Sequence, residues 1–170
     1  ENPLYKDLVK QFGDALHDAA FITEKPKQII SVSPKLDLAL GGGVPEGSLF
    51  IMTGPEKIGK TVTALSFCAN AQSQERFVYY GNIEGRLKKR DLEGIRELQL
   101  GPEQFQMVGS SEGNILSGED YLGIFDKVVH GHPKSVAVVD SFSALAAEAE
   151  LAGELKDIQV MSIQKTQAKW

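Results

Sequence analysis

The sequence predicts an α/β domain whose sheet is mainly parallel and is flanked by helices. Short apolar runs alternate along the chain with segments whose apolar residues recur at helical spacing. Most of the runs lack the apolar–polar alternation of a strand with one face in water, which is typical of strands covered on both faces. With 170 residues, the chain is long enough for one domain with its own core.

The elements follow in a regular order. We expect an amphipathic helix over residues 3–20 and a polar linker over residues 23–28, which together form an N-terminal unit, residues 1–28. Residues 29–170 form the core. Its predicted strands are 29–32, 48–53, 77–80, 105–108, 135–139 and 158–163, and its predicted helices are 34–40, 61–71, 88–98 and 120–129.

Composition excludes several classes of protein. The formal net charge of −5 gives no overall basic field, although a local basic stripe would still suffice for nucleic acid. The single cysteine, Cys68, excludes an internal disulfide and a cysteine-built metal site. No apolar run approaches the roughly 18 residues of a membrane span, and the first residues do not resemble a signal peptide. We expect a cytoplasmic protein without a membrane partner.

The segment Gly54-Pro-Glu-Lys-Ile-Gly-Lys-Thr61 has the full Walker A pattern. Glycines allow the backbone to turn tightly and to bring amide groups close to a phosphate, and the following helix begins with unsatisfied N–H groups. Lys60 is expected to reach the β- and γ-phosphates, and the Thr61 hydroxyl is expected to bind Mg²⁺. The sequence therefore predicts a site for ATP with Mg²⁺. Its expected nucleotide contacts are Gly54, Pro55, Glu56, Lys57, Ile58, Gly59, Lys60, Thr61 and Val62.

Two acidic residues follow predicted strands. Asp140 ends the apolar run 135–139, as in a Walker B motif, where a carboxylate holds Mg²⁺ directly or through water. Glu84 lies just past the run 77–80 and has the position of a general base for an attacking water. By pattern alone, Asp140 is also compatible with a turn residue and Glu84 with a solvated surface residue. Because ligands gather at the carboxyl ends of parallel strands, we expect Asp140 and Gly54 to face one site.

Four stretches resemble the RecA family of recombinases: Lys10–Gly13, Ser33–Gly41, the Walker A segment and Val138–Leu145. The similarity continues through Glu148–Glu154. The Walker motif is shared by many ATPases, whereas the stretch from Asp140 to Glu154 is far more specific. Phage recombinases of the UvsX type belong to the same group and resemble the chain about as well.

The resemblance implies an ATPase that polymerises on single-stranded DNA and drives homologous pairing and strand exchange. It implies that Glu84 is the catalytic base, that Lys60 is the phosphate lysine, and that Thr61 and Asp140 lie at the magnesium. It also implies that residues 148–157 lead into a first DNA-binding loop. The N-terminal helix would pack on a neighbouring subunit in a homo-oligomeric filament, although packing on its own domain fits the pattern equally.

The chain departs from the family at the adenine contact. The family has a tyrosine seven residues after the catalytic glutamate, whereas this chain has Asp91, preceded by Arg90. The planar guanidinium of Arg90 can stack on a base, so Arg90 is a candidate nucleotide contact. The basic cluster of Arg86, Lys88, Lys89 and Arg90 is compatible with a solvated helix start or with contact to nucleotide or to a neighbouring subunit.

A second departure lies near the end of the chain. Residues 158–163 already look like the strand that the family reaches after a long helix, and Gln164 matches the polar residue that senses the γ-phosphate. Because a parallel crossover needs a dozen or more residues, we expect that residues are missing between Asp157 and Ile158. We also expect the family's second DNA loop and further strands to be absent after Trp170.

Two other functions remain open. The stretch Gly41–Gly47 also occurs in KaiC-like proteins, so the same fold would suit a KaiC-like regulator or a hexameric helicase motor, which would form a ring. A domain that binds nucleotide only for assembly is the third possibility, although an intact Glu84 argues against it. Dependence of hydrolysis on DNA separates the recombinase from these alternatives.

Overall fold

The structure is a computed structural model that describes residues 3–13 and 27–145. Its main elements are, in chain order, α1 (Pro3–Phe12), β1 (Ile29–Ile30), α2 (Pro34–Leu40), β2 (Val44–Pro45), α3 (Lys60–Gln72), β3 (Phe77–Asn82), α4 (Lys89–Glu93), β4 (Phe105–Val108), α5 (Gly118–Gly131), β5 (Ser135–Asp140) and a 3₁₀ turn at Phe142–Ala144. The alternation of strands and helices confirms the predicted α/β class.

The three longer strands form a parallel sheet in the order β4-β3-β5. In register, Phe77 lies opposite Ser135 and Asn82 lies opposite Asp140, so β3 and β5 end together. A parallel pair cannot be joined by a tight turn, which is why α5 and its flanking loops carry the chain from β4 to β5. The carboxyl ends of β3 and β5 therefore form one edge.

Helices α3 and α5 cover opposite faces of this sheet. Val78 and Tyr80 pack with residues of α3, whereas Tyr79 packs with residues of α5, because successive side chains of a strand point to opposite faces. Around α3 the buried cluster comprises Ala64, Leu65, Cys68, Val78, Tyr80 and Phe105. Around α5 it comprises Tyr121, Leu122, Phe125 and Leu145. Burial of these two clusters holds α3 and α5 on the sheet.

Local capping sets the ends of two helices as the residue types require. Ser33 accepts a hydrogen bond from the backbone N–H of Leu36 at the start of α2, and Gly41 ends that helix in the left-handed region at a φ of 72°. At α5, Ser117 and Asp120 form a capping box, so the helix begins at Gly118, two residues earlier than predicted. The backbone N–H and the hydroxyl of Ser117 donate hydrogen bonds to the carboxylate of Asp120, and these bonds lower the pKa of Asp120.

A small antiparallel pair, β1 and β2, is held to the domain by several side chains, among them Arg76 and Gln74, whose Nε2 donates a hydrogen bond of 3.0 Å to the carbonyl oxygen of Ile29. Ile30 pairs with Val44, and Arg76 reaches both segments through hydrogen bonds of 2.8 Å to Gln28 and to Glu46. Only 5% of the Arg76 side chain is exposed. The hydrogen bond from Arg76 is the main reason why the pKa of Glu46 lies below its usual value.

The predicted strand over residues 48–53 is wrong, since the structure has no strand there. Leu49 and Ile51 are 73% and 70% exposed, while Met52 packs on the cluster around α3. A strand that is buried on both faces needs a second layer packed against it and a partner strand beside it. No described segment supplies either. The apolar run therefore has one face on the core and one in solvent.

The predicted helix over residues 88–98 is also wrong in length, because α4 ends at Glu93. Gly94 follows, and the N–H groups of Ile95 and Leu98 bond three residues back in turns. Glycine costs roughly 1 kcal/mol relative to alanine inside a helix. Glu97 has a φ of 67°, which no helix accommodates. These turns bring Ile95 and Leu98 against the cluster around α3.

Several predictions fall on residues outside the described ranges. They are the second half of the N-terminal helix, most of the linker, the strand 158–163, the DNA-binding stretch 148–157 and the break after Asp157. The division into a unit 1–28 and a core 29–170 stays a prediction. Within residues 3–13 and 27–145, no helix is long and apolar enough to cross a membrane.

Candidate nucleotide and metal site

The loop between residue 54 and α3 has the backbone of a phosphate-binding turn. Gly54 and Gly59 have φ values of 152° and 96°, and Gly59 is the N-cap of α3. Side chains other than glycine rarely adopt these angles, so the motif needs glycine at both positions. Lys57, between them, also lies in the left-handed region, with a φ of 62°. The loop is therefore a tight turn that opens directly onto the N-terminus of a helix.

Lys60 lies over this loop. Its Nζ donates hydrogen bonds of 2.8 Å to the carbonyl oxygens of Gly54 and Pro55. Helix α3 begins at Lys60, and its first-turn N–H groups and dipole favour a negative charge at the same place. The lysine ammonium and the helix end thus give the loop the electrostatics of an anion site.

Thr61 and Asp140 meet beside the loop. Thr61 Oγ1 donates a hydrogen bond of 2.9 Å to Oδ2 of Asp140, although the two residues are 79 positions apart. Asp140 is the last residue of β5, and its carbonyl oxygen accepts a hydrogen bond from the N–H of Ile83. The end of the sheet and the start of α3 therefore place a hydroxyl and a carboxylate in contact, as predicted for these two residues.

The same carboxylate oxygen has a second donor. The hydroxyl of Tyr80 donates a hydrogen bond of 2.7 Å to Oδ2 of Asp140. Tyr80 is fully buried in the middle of β3. Burial, and then the hydrogen bond and charge of Asp140, raise the pKa of Tyr80, so this phenol keeps its proton.

Glu84 lies at the same edge, just beyond β3. Its Oε1 accepts a hydrogen bond of 2.7 Å from Oγ of Ser141, and its Oε2 lies 3.3 Å from Nη1 of Arg86. Ser141 follows Asp140 through a cis peptide bond and also shares a hydrogen bond with Ser143. The predicted base and the predicted metal carboxylate are therefore neighbours, as the strand ends required.

The residues at this edge fit Mg²⁺ and a nucleotide phosphate. Mg²⁺ prefers oxygen ligands and usually takes only one or two from protein carboxylates, with water and phosphate supplying the rest. Thr61 and Asp140 offer such oxygens beside an anion-binding loop. No cluster of three or more histidine, cysteine, aspartate or glutamate residues that could hold a metal occurs within residues 3–13 and 27–145.

Other predicted contacts are not joined to this edge by any described bond. Arg90 is exposed on α4, and its Nε lies 3.7 Å from Asp91. Ile58 and Val62 are more than half exposed on the loop and on the first turn of α3, and Glu56 and Lys57 are exposed on the loop. Gln164 lies outside the described residues. The loop and its two strand ends are thus the part of the predicted site that the structure brings together.

Sequence reasoning missed three contributors: Tyr80, Ser141 and Arg86. Tyr80 carried a usable signal, because a tyrosine in a strand buried on both faces needs a partner for its hydroxyl. The sequence places Arg86 only in a basic cluster, and no pattern in it marks Ser141 as a partner of Glu84. The contact of Ser141 with Glu84 depends on how β3 and β5 align, which no local pattern shows.

Comparison with known proteins shows the family of this chain. The model of the RecA N-terminal domain family matches residues 5–169, which is nearly the whole chain. The chain belongs to the RecA family. The fold that the family resemblance implied, an α/β domain with a parallel sheet between helices, is the one that the described residues adopt.

Individual RecA relatives cover most of this chain. Protein RecA of Bifidobacterium longum is 34% identical over 156 residues, which is 89% of this chain and 37% of the relative. Protein RecA of Synechococcus elongatus is 35% identical over 168 residues, covering 94% of this chain and 43% of the relative. Protein RecA of Thermus thermophilus is 34% identical over 165 residues, covering 94% of this chain and 45% of the relative. The chain therefore spans less than half the length of these relatives.

Proposed function

We propose that this protein is a recombinase that binds ATP with Mg²⁺, assembles on single-stranded DNA, and promotes homologous pairing and strand exchange in recombination and repair. The observation that carries the proposal is the contact of Thr61 with Asp140 beside a Walker A loop, in a chain of the RecA family. This contact joins the hydroxyl and the carboxylate that a Mg²⁺–nucleotide site needs.

The loop and Lys60 bind and orient the phosphates of ATP. Two left-handed glycines permit the tight turn, and the start of α3 attracts the phosphate charge. The ammonium of Lys60, which rests on two loop carbonyls, would turn to a phosphate oxygen when the nucleotide binds. Thr61 and Asp140 would hold Mg²⁺. When bound, that ion neutralises charge on the β- and γ-phosphates.

Glu84 serves as the general base. Its carboxylate lies at the same strand edge as Asp140 and, through Ser141 and Arg86, is held by two side-chain donors. A carboxylate in this place can accept a proton from a water that attacks the γ-phosphate once one of its oxygens is released. Arg90 is proposed as a further nucleotide contact, in place of the tyrosine of the family.

The proposal that the protein assembles and binds DNA rests on the resemblance to the RecA family and on one feature of α1. Four apolar side chains of this helix, Leu4, Leu8, Val9 and Phe12, are exposed by 36% to 62%. An exposed apolar stripe of this kind is suited to packing on a neighbouring subunit of a filament. Residues 148–157 and Gln164 are proposed to link DNA contact to the phosphate, and the protein is proposed to act in the cytoplasm of a bacterial or phage-infected cell.

The test is ATP hydrolysis by the complete protein with and without single-stranded DNA, alongside Lys60→Ala. We expect hydrolysis to rise strongly with DNA and to require Lys60, because this lysine supplies the charge that meets the phosphates. Lys127→Ala is the matched control, since Lys127 is an exposed lysine on α5, outside the predicted nucleotide contacts.

Each outcome separates the candidate functions. Hydrolysis that needs Lys60 but ignores DNA would favour the KaiC-like regulator or the helicase-type motor over the recombinase. Nucleotide binding without hydrolysis, in a protein unchanged by Glu84→Gln, would favour an assembly module. Loss of nucleotide binding in Lys127→Ala as well would show that removal of a lysine in general, rather than of Lys60, impairs binding.

A further inference from the structure

Tyr80 brings a polar atom through the core to the candidate metal site. The residue lies in the middle of β3 opposite Val138, and its side chain is fully buried. Its ring is stacked on Phe105, with centroids 6.1 Å apart and planes 20° apart. The hydroxyl ends 2.7 Å from Oδ2 of Asp140, the final residue of the neighbouring strand. Because packing fixes the ring, its hydroxyl has only one possible direction. Tyr80 is therefore a rigid hydrogen-bond donor.

The two donors to Asp140 among the described side chains differ in kind. Thr61 belongs to the proposed ligand set, because its hydroxyl is itself a metal ligand. Tyr80 belongs neither to the loop nor to that set, and its ring lies in the buried cluster around α3. Its contribution to Asp140 is therefore orientation of the carboxylate plane.

We propose that Tyr80 is a positioning residue that holds Asp140 in the orientation in which it binds Mg²⁺ with the nucleotide. The proposal rests on the proposed function, since it requires a metal at Asp140. Outer partners that hydrogen-bond to ligating carboxylates fix ligand geometry, and their loss typically lowers metal affinity or activity by about 10- to 100-fold. Because the ring of Tyr80 is already ordered by packing, no rotamer freedom is lost when the metal binds.

The test compares Tyr80→Phe with Tyr79→Phe. Tyr80→Phe removes only the hydroxyl and keeps the ring that stacks on Phe105. Tyr79 is the next residue of the same strand, and its hydroxyl contacts Nδ1 of His132 at 2.9 Å on the opposite face. The control therefore deletes an identical group from the same element without touching Asp140.

The readout is binding of a fluorescent, non-hydrolysable ATP analogue to the complete protein, first in EDTA and then across a Mg²⁺ titration. For Tyr80→Phe we expect the half-saturating Mg²⁺ concentration to rise by about 10-fold, with binding in EDTA unchanged. Tyr79→Phe should match the wild type in its binding in EDTA and in its half-saturating Mg²⁺ concentration. In hydrolysis assays, Tyr80→Phe should regain most of the wild-type kcat at saturating Mg²⁺, which separates positioning from general damage to the fold.

The outcomes distinguish this inference from the function on which it rests. A wild-type protein whose nucleotide binding responds to Mg²⁺, with an unchanged titration in Tyr80→Phe, would overturn the role of Tyr80 alone. Nucleotide binding that ignores Mg²⁺ in the wild type would overturn the proposed metal site and the role of Tyr80 with it. Equal shifts in Tyr80→Phe and Tyr79→Phe would also overturn the inference, because they would show a general effect of losing a strand hydroxyl.

Discussion

Ser141 Oγ donates a hydrogen bond of 2.7 Å to Oε1 of Glu84, across the edge where β3 and β5 end. The other carboxylate oxygen of Glu84 lies 3.3 Å from Arg86. Both oxygens of the proposed base are thus engaged by donors from this chain. Since a base needs an oxygen turned to the attacking water, the Ser141 contact acts as a restraint on Glu84.

We expect Ser141→Ala to raise ATP hydrolysis in the absence of DNA by about threefold, because one oxygen of Glu84 is released. The free energy that corresponds to a threefold change in rate lies in the lower part of the range that one hydrogen bond contributes net, about 0.5–1.5 kcal/mol. The measurement is the steady-state rate at saturating Mg²⁺ and ATP. Ser143→Ala is the control, since Ser143 bonds to Ser141 but not to Glu84. A lower rate in Ser141→Ala would mean that the hydroxyl orients the base instead of restraining it.

The phosphate loop and the parallel sheet were predictable because their signals are local. The Walker A residues are contiguous, and the helix that follows them begins at Lys60, one residue from the prediction. The apolar runs that became β3 and β5 are continuous, as is typical of parallel strands, whereas β4 is a short edge strand on which Gln106 and Met107 are exposed. That strand ends share an edge is a general property of parallel sheets, so the meeting of Thr61 with Asp140 could also be anticipated.

Other features depend on pairings that the sequence does not encode locally. The contact of Tyr80 with Asp140 joins residues 60 positions apart and requires the register of two strands. The run 48–53 resembles a buried strand, yet exposure of Leu49 and Ile51 depends on which segments lie beside it. A periodic pattern shows which residues are apolar, whereas the partner that covers them is a property of the whole fold.

The close packing of β3 against α5 predicts a large cost for a small change. A Cβ atom added at Gly81 would lie 2.8 Å from Cζ of Phe125 and 3.2 Å from the carbonyl oxygen of Val138. Phe125 is fully buried and has no room to move. We expect Gly81→Ala to lower the free energy of unfolding by about 1–3 kcal/mol, measured by urea denaturation.

The matched control for that change is Gly123→Ala on α5, where an added Cβ meets nothing within 4 Å. Alanine is favoured over glycine inside a helix, so this variant should gain about 0.5–1 kcal/mol. Opposite signs for the two glycines are the expected result. Equal stability of wild type and Gly81→Ala would contradict the tight contact between β3 and Phe125.

The ion pair of Glu46 with Arg76 predicts an acid-dependent stability. The hydrogen bond from Arg76 lowers the pKa of Glu46 in the folded state below its unfolded value. A lowered pKa contributes stability that is present above the unfolded pKa and is lost as the pH falls through the folded pKa. Asp37, whose pKa is lowered mainly by the hydroxyl of Ser31, and Asp120 act in the same direction.

The corresponding measurement is the free energy of unfolding from pH 7 into the acid range, for wild type and for Glu46→Gln. We expect Glu46→Gln to be less stable near pH 7 and to lose stability less steeply as the pH falls, because its amide does not titrate. Glu112→Gln, at an exposed position in the loop after β4, should keep the wild-type slope. Identical slopes for wild type and Glu46→Gln would remove this pair as a source of the pH dependence.

The single cysteine offers a probe of how the site couples to the core. Cys68 lies on α3, is fully buried, and has a pKa raised by burial to about 12. Because the thiolate is the reactive form, a disulfide reagent at pH 8 should modify the folded protein slowly and the urea-unfolded protein rapidly. The rate in the native state then reports opening of α3.

Nucleotide should slow this modification, since Lys60 and Thr61 begin the helix that carries Cys68. If opening abolishes binding, ATP with Mg²⁺ at 100 times its dissociation constant suppresses the reaction by about 100-fold, or ~2.7 kcal/mol. Lys60→Ala, which is expected to bind ATP weakly, should show little protection under the same conditions. Fast modification of the native wild type would contradict the burial of Cys68, whereas equal protection in Lys60→Ala would contradict binding at the loop.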